Sequence, residues 1–128
     1  MIRTVISSAF TLLAMPAFAC PTDPNAIGFK TADESPAAFL TMTPAAISAP
    51  FNATIEICST LAFADLSFDA IMPAHQHGMN YDVSVEKTAP GKFSVNNIVF
   101  HMPGLWEVQI EAISGSTQHF YKTEVMVE

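Results

Sequence analysis

The segment MPAHQHGM, residues 72–79, combines side chains that suit a metal ion. His75 and His77 are two residues apart, so in an extended chain they point to the same side, and Met79 continues that alternation. Imidazole nitrogen and thioether sulfur are borderline-to-soft ligands, which favour copper, above all Cu(I), over the oxygen-seeking calcium and magnesium. Zinc would take the histidines but rarely a thioether. The segment therefore predicts part of a copper site.

A second His/Met segment, FHMPG at residues 100–104, offers two more ligands. In an antiparallel run of full-length strands, successive connections alternate between the two ends of the domain. The turn at 89–92 separates the two segments, so we predict that both lie at the same end. Met102 shares the inward phase of its strand, whereas His101 has the outward phase. Met102 is therefore the stronger candidate of the two, and His101 is the second.

The rest of the chain predicts strands and no helix. Several segments alternate apolar and polar residues with the period of a half-buried strand. About seven short strands, with turn signals roughly every 8–12 residues, are typical of an all-β, immunoglobulin-like antiparallel β-sandwich. One strand keeps its phase only if Asn96-Asn97 carry a bulge. The predicted strands cover 51–57, 66–72, 81–86, 93–102, 106–112 and 118–127.

The phase of each strand also assigns single residues to the core or to the surface. Trp106 is predicted to be a core anchor, and Met72 is predicted to be core because it is in phase with Phe68. His119, on the last strand, is predicted to lie at the surface. The carboxylates are scattered singly at outward positions and predict a solvated face.

Residues 1–19 have the character of a secretory signal peptide. A basic start precedes an apolar run that is shorter than the roughly 20 residues of a spanning helix, and Ala17-Phe18-Ala19 is a small-x-small cleavage site. Residues 20–44 contain four prolines and predict an extended N-terminal arm with little regular structure of its own. Residues 45–128 predict the sandwich. We expect a periplasmic or secreted protein without a membrane span in the mature chain.

The chain has two cysteines, Cys20 and Cys58. Two cysteines in an exported chain predict one disulfide, because the compartment is oxidising. Cys20 would be the first mature residue, so a lipid anchor on its sulfur is the alternative. The residues before it fit the lipidation motif poorly, with a phenylalanine at −2 and no leucine at −3.

The acidic composition restricts the classes of partner. Twelve acidic and five basic residues give a net charge of −7. Removal of residues 1–19, whose one charged side chain is Arg3, changes it to −8. Nucleic acids and anionic membrane surfaces require basic patches, so neither is expected as a partner. A metal ion is the partner that the His/Met segments predict.

The two segments together resemble the YtkA-like/FixH-like family of exported small β-sandwich domains. Members of this family have an MP-x-H-x-H-G-M segment, followed by a strand that ends in F-x-MPG-x-W. The resemblance covers roughly residues 45–127. It implies an immunoglobulin-like sandwich, a link to copper, and a protein partner in copper handling or respiratory-complex assembly. FixH-type members carry a membrane anchor, whereas this chain is expected to have only a cleavable signal. The matching positions are Met72, Pro73, His75, His77, Gly78 and Met79, then Phe100, Met102, Pro103, Gly104 and Trp106.

Three functions compete on this basis. The first is an exported copper-binding carrier or scavenger. The second is a metal-free module for protein interaction or assembly, which presents the rigid Pro/Gly/His loop to a partner. The third is a small metalloenzyme, which is disfavoured because the acidic residues after His77 lack cupin spacing and no Ser-His-Asp or Cys-His arrangement stands out. We predict the first, and no enzymatic activity.

Overall fold

Nine β-strands and no helix occur in the residues that the computed structural model describes, which are 9, 11–12, 19–43 and 46–128. The predicted signal peptide lies almost entirely outside these residues. The strands are β1 (Ile27–Gly28), β2 (Ala38–Met42), β3 (Phe51–Ile57), β4 (Asp65–Met72), β5 (His77–Gly78), β6 (Ser84–Ala89), β7 (Lys92–Ile98), β8 (Gly104–Ser114) and β9 (Thr117–Val127).

The strands form two antiparallel sheets that pack as a sandwich. The first sheet has the order β1-β2-β3-β7-β6 and the second has the order β5-β4-β8-β9. Seven of the strands have five or more residues. Lettered A to G along the chain, these seven give sheets ABED and CFG, the arrangement of immunoglobulin constant-type domains. The predicted immunoglobulin-like sandwich is confirmed.

The core lies between the two sheets and follows the alternation of the sequence. In β4, the residues from Leu66 to Met72 alternate between buried and more exposed positions, with Met72 only 2% exposed. Trp106 is fully buried and packs against Phe100, with ring centroids 4.8 Å apart and planes tilted by 35°. The predictions for Met72 and Trp106 are therefore confirmed.

The predicted bulge is present in β7. Pairing with β3 steps from Phe51 opposite Ile98 to Ala53 opposite Val95, so three steps along β7 match two along β3. Asn97 lies in the bulge and has a left-handed backbone conformation with φ of 65°. Asparagine tolerates this conformation better than most residues. The bulge keeps Val95 and Ile98 in the same core.

The segment 20–44 differs from the extended arm expected of it, because β1 and β2 lie within it. β2 pairs with β3 along its whole length, from Ala38 opposite Ile57 to Met42 opposite Ala53. Ala38 and Leu40 are buried in the core at 1% and 0% exposure. This alternation is only three apolar residues long, Ala38, Leu40 and Met42, and the prolines around it hid a strand that covers the edge of β3.

The predicted disulfide joins Cys20 to Cys58, with a Cα–Cα distance of 5.8 Å, and leaves no free cysteine among the described residues. Cys58 directly follows β3. The bond therefore ties the start of the described N-terminal segment to the end of a central strand. A disulfide is consistent with an oxidising, exported environment.

Glu56 contradicts the prediction that every carboxylate is solvated. It points outward from β3, but it is only 7% exposed because the N-terminal segment lies over it. Its carboxylate accepts hydrogen bonds from the backbone N–H of Thr22 at 2.7 Å and from the Thr22 hydroxyl at 2.6 Å. The Lys92 Nζ lies 3.2 Å from the Glu56 Oε1 and forms an ion pair with it. Burial raises the pKa of Glu56, but the bonds from Thr22 and Lys92 outweigh it and leave the pKa below its ordinary value.

His119 is buried, so its prediction as a surface residue is wrong. It shares the inward phase of β9 with Tyr121 and is 9% exposed. Its ring packs edge-on against Phe63 at 5.5 Å, and its Nδ1 lies 2.8 Å from the Ser35 hydroxyl. The alternation along β9 overrides the usual surface preference of histidine.

Removing the disulfide with Cys20→Ser and Cys58→Ser should lower the free energy of unfolding by about 3–4 kcal/mol, since it frees a loop of 38 residues in the unfolded chain. Denaturant titration of the two proteins gives this difference. The exposed substitution Ser59→Ala, next to Cys58, is the control. A double variant as stable as the wild type would contradict the structural role of the bond.

Glu56→Gln should remove a pH-dependent part of the stability. A carboxyl whose pKa is lowered by folding stabilises the protein above its unfolded pKa, ordinarily 4.5, and this contribution is lost as the pH falls through the folded value. The wild type should therefore exceed the variant in stability at pH 7 and converge with it in acid. Thermal unfolding between pH 7 and pH 3 measures this. Glu124→Gln controls for the change in charge, and parallel curves for wild type and Glu56→Gln would refute the prediction.

Candidate functional site

The pairing of β4 with β8 brings the two His/Met segments side by side. Their register ends at Ile71 opposite Glu107, so the end of β4 at Met72 lies beside the start of β8 at Gly104. The intervening turn is at the other end of the sandwich, where the Ile57 N–H donates to the Gly91 carbonyl at 2.8 Å. The prediction that both segments share one end is confirmed.

The first segment is a tight hairpin between β4 and β5. The N–H of His75 donates to the Met72 carbonyl at 3.2 Å, and Gln76 turns the chain with φ of 51°. His77 then pairs with Met72 as the first residue of β5. His75 therefore sits in the turn and not in the extended segment expected of it. The two imidazoles still face each other, with centroids 6.2 Å apart and planes 27° apart, and both are exposed.

Residues 99–103, which include most of the second His/Met segment, cross from the sheet of β7 to the sheet of β8. The strand predicted through Met102 ends at Ile98, because β7 pairs in one sheet and β8 pairs in the other. Trp106 anchors this crossing, since its indole N–H donates to the Met102 carbonyl at 3.0 Å. The crossing is thus fixed by a buried side chain and not by strand pairing.

His101 does not occupy the outward position that strand phase indicated. It is half-buried, and its ring lies edge-on to Trp106 at 5.5 Å and 6.3 Å from the ring of His77. Its Nδ1 is buried and has no hydrogen-bond partner among the described residues. Strand alternation missed this placement because His101 is not in a strand. A histidine next to a Pro-Gly turn between two sheets was the available signal.

The two methionines lie deeper than the exposed histidines. Met79 and Met102 are both half-buried and pack against the hydrophobic core. His77, His101, Met79 and Met102 thus belong to the same end of the domain, with His77 exposed and the other three half-buried.

The spacing of the imidazoles is near the outer limit for a shared ion. Two imidazoles bound through metal–nitrogen bonds of about 2.0 Å keep their ring centroids within approximately 6.4 Å of each other. The pairs His75–His77 and His77–His101, at 6.2 and 6.3 Å, meet that limit. In the described part of the chain, no three His, Cys, Asp or Glu side chains are arranged to hold a metal. A metal centre here needs thioether ligands, and the rings must turn so that one nitrogen of each points at the ion.

The orphaned nitrogen of His101 is the feature that best fits a ligand group. A buried polar atom without a partner carries an unrecovered desolvation cost. A neutral imidazole nitrogen is a metal ligand as well as a hydrogen-bond acceptor. The donor set of neutral imidazoles and thioethers fits Cu(I), which prefers soft ligands.

These features define the class of protein as a small immunoglobulin-like β-sandwich with a His/Met cluster at one end. A family model described as YtkA-like matches residues 59–111, which run from just before β4 into β8 and include both His/Met segments. The match agrees with the predicted resemblance and is confined to this segment, which is less than half of the chain. No significant match was found among curated proteins or solved structures. The described residues include no helix long and apolar enough to cross a membrane.

Gly104→Ala should destabilise this end of the domain by about 1–3 kcal/mol, because Gly104 has φ of 130°, which L-residues avoid. An added Cβ would also lie 2.9 Å from the Met72 methyl group. Thermal or denaturant unfolding measures the loss. Gly78→Ala is the matched control, since nothing lies within 4 Å of a Cβ there. Equal stabilities of the two variants would show that the Gly104 conformation is not required.

Proposed function

We propose that this protein is an exported, periplasmic copper-binding protein that acts as a carrier or scavenger of Cu(I). His77 is the central ligand, with His75 or His101 as a second imidazole and Met79 or Met102 as the thioether. The observation that carries the proposal is the position of His77, whose ring lies 6.2 Å from that of His75 and 6.3 Å from that of His101.

The chemistry of this end supports copper over a hard cation. Of the two ion pairs found among the described residues, Lys92–Glu56 lies at the other end of the sandwich, and Glu107, which lies opposite Ile71 near the cluster, is already paired with Lys122. The cluster itself offers neutral nitrogen and sulfur donors, which hold a soft monovalent ion without adding charge. The YtkA-like relation of residues 59–111 is in keeping with a small exported domain.

The exposure of the hairpin supports transfer of the metal and not catalysis. His75 and His77 lie on the exposed hairpin tip, where a partner's ligands can reach a bound ion. Met79, Met102 and His101 are half-buried behind them. We propose binding and delivery as the function and no enzymatic reaction.

A metal-free assembly module is the second candidate. Leu105 and Met126 are directly opposite each other on β8 and β9, at the same end as the hairpin. They are 38% and 64% exposed, so two large apolar side chains are available to a protein partner. A rigid hairpin beside an apolar pair suits docking whether or not a metal is bound.

The test is an anaerobic Cu(I) titration of the exported, purified protein against a chromophoric chelator. The wild type should retain one copper per chain. His75→Ala with His77→Ala should weaken binding at least about tenfold, because it removes the central ligand and its neighbour. His101→Ala, Met79→Leu and Met102→Leu then show which half-buried groups complete the site.

Two substitutions outside the proposed ligand set serve as controls for that titration. His119→Gln removes a histidine from the other end of the sandwich. Met126→Leu removes an exposed methionine that lies at the same end as the hairpin but is not a proposed ligand. Both variants should bind copper as the wild type does. Failure of the wild type to compete for copper, or unchanged binding by the double histidine variant, would overturn the proposal and favour the metal-free module.

A further inference from the structure

Two lysines lie directly opposite each other at the edge of β9. The N–H of Lys30 donates to the Lys122 carbonyl at 2.8 Å, and the N–H of Lys122 donates to the Lys30 carbonyl at 2.9 Å. Residues that exchange both bonds have Cα atoms about 5.5 Å apart and side chains on the same face. Like charges directly opposite each other are destabilising. This pair therefore carries an electrostatic cost that a bound anion would remove.

The two lysines border a groove with an apolar floor. Its volume is about 360 Å³, which is within the range of small-molecule sites. Phe120, on the same face of β9 as Lys122, lines it and is 56% exposed. Thr31 and Gln109 also line it, and no carboxylate does among the described residues. The groove thus combines an apolar surface with two cations, while Thr31 and Gln109 already donate hydrogen bonds to the carboxylates of Asp33 and Glu107.

Lys30 and Lys122 place two positive charges side by side in a protein whose net charge is −7. Of the other described lysines, Lys87 donates to the Phe63 carbonyl at 2.7 Å and Lys92 pairs with Glu56 at 3.2 Å. Lys122 makes only a long contact of 3.8 Å with Glu107, and its side chain is 66% exposed. Lys30 forms no ion pair with another described residue. Lys30 is therefore free to turn towards a ligand, and Lys122 can do so by giving up its long contact with Glu107.

We propose that this groove binds a small organic anion, a carboxylate on an apolar aliphatic or aromatic body. The carboxylate lies between the ammonium groups of Lys30 and Lys122, and the apolar body packs on the ring of Phe120. A compact inorganic anion would not use the apolar floor, and a neutral apolar molecule would leave the lysine repulsion in place. Only a ligand with both parts uses both features.

The groove is independent of the proposed copper site. Lys122 pairs with Gln109 on β8, five residues from Gly104, which is about 16 Å along the strand. Failure of one proposal therefore leaves the other intact.

The test is titration of ¹⁵N-labelled, purified protein with hexanoate at constant ionic strength, followed by NMR. Amide shifts should be confined to residues 30–32, 109–110 and 120–122, and they should saturate. Hexan-1-ol, which has no charge, and acetate, which has almost no apolar body, should each bind at least about fivefold more weakly.

Variants of the groove separate its two contributions. Lys30→Gln with Lys122→Gln, and separately Phe120→Ser at an exposed position, should each weaken hexanoate binding about fivefold or more. Lys87→Gln, which changes a lysine in the other sheet, is the matched control and should leave binding unchanged. Equal binding of acetate and hexanoate, shifts that never saturate, or unaltered binding by the Lys30/Lys122 variant would overturn the proposal.

Discussion

The antiparallel pairing of β4 with β8 is the constraint on which the candidate site depends. These two strands are far apart in the sequence, yet their register sets Met72 beside Gly104. Everything that follows β4 and everything that precedes β8 must therefore meet at one end. The hairpin with its two exposed histidines and the crossing with His101 are consequences of this one register.

The crossing at residues 99–103 adds half-buried side chains to the exposed histidines at this end. The chain leaves the first sheet at Ile98 and enters the second at Gly104, so these residues lie over the end of the core. Trp106 holds them there through its bond to the Met102 carbonyl. The histidine in the crossing is thereby half-buried, while the hairpin histidines remain exposed. Two degrees of exposure around one cluster suit a ligand that must be both held and released.

Alternation in the sequence was enough to predict the sandwich, the bulge at Asn97 and the shared end of the two His/Met segments. It worked because long strands with one buried face have a strict period of two. It was not enough for β2, whose inward pattern is limited to Ala38, Leu40 and Met42. It also misplaced His101, since phase has no meaning where the chain leaves a strand. His119 was misplaced for the opposite reason. The alternation of β9 indicated an inward position, but the usual surface preference of histidine was given more weight.

Glu56 shows why burial cannot be read from one strand alone. Its outward phase is as predicted, but Thr22 and the disulfide bring a distant segment over it. A segment held by a few long-range contacts leaves little periodic trace in the sequence. Its position follows from a covalent bond and two hydrogen bonds, none of which the alternation contains.

The exchange of backbone bonds between Lys30 and Lys122 has a consequence for self-association. β9 is the outer strand of its sheet and has eleven residues, so its free edge would otherwise be a long template for another chain. The segment after β1 occupies the middle of that edge. An incoming strand would have to displace it, and would find only short unpaired stretches on either side. The segment after β1 thus covers the middle of the exposed edge of β9. This cover disfavours edge-to-edge pairing between two copies of the chain.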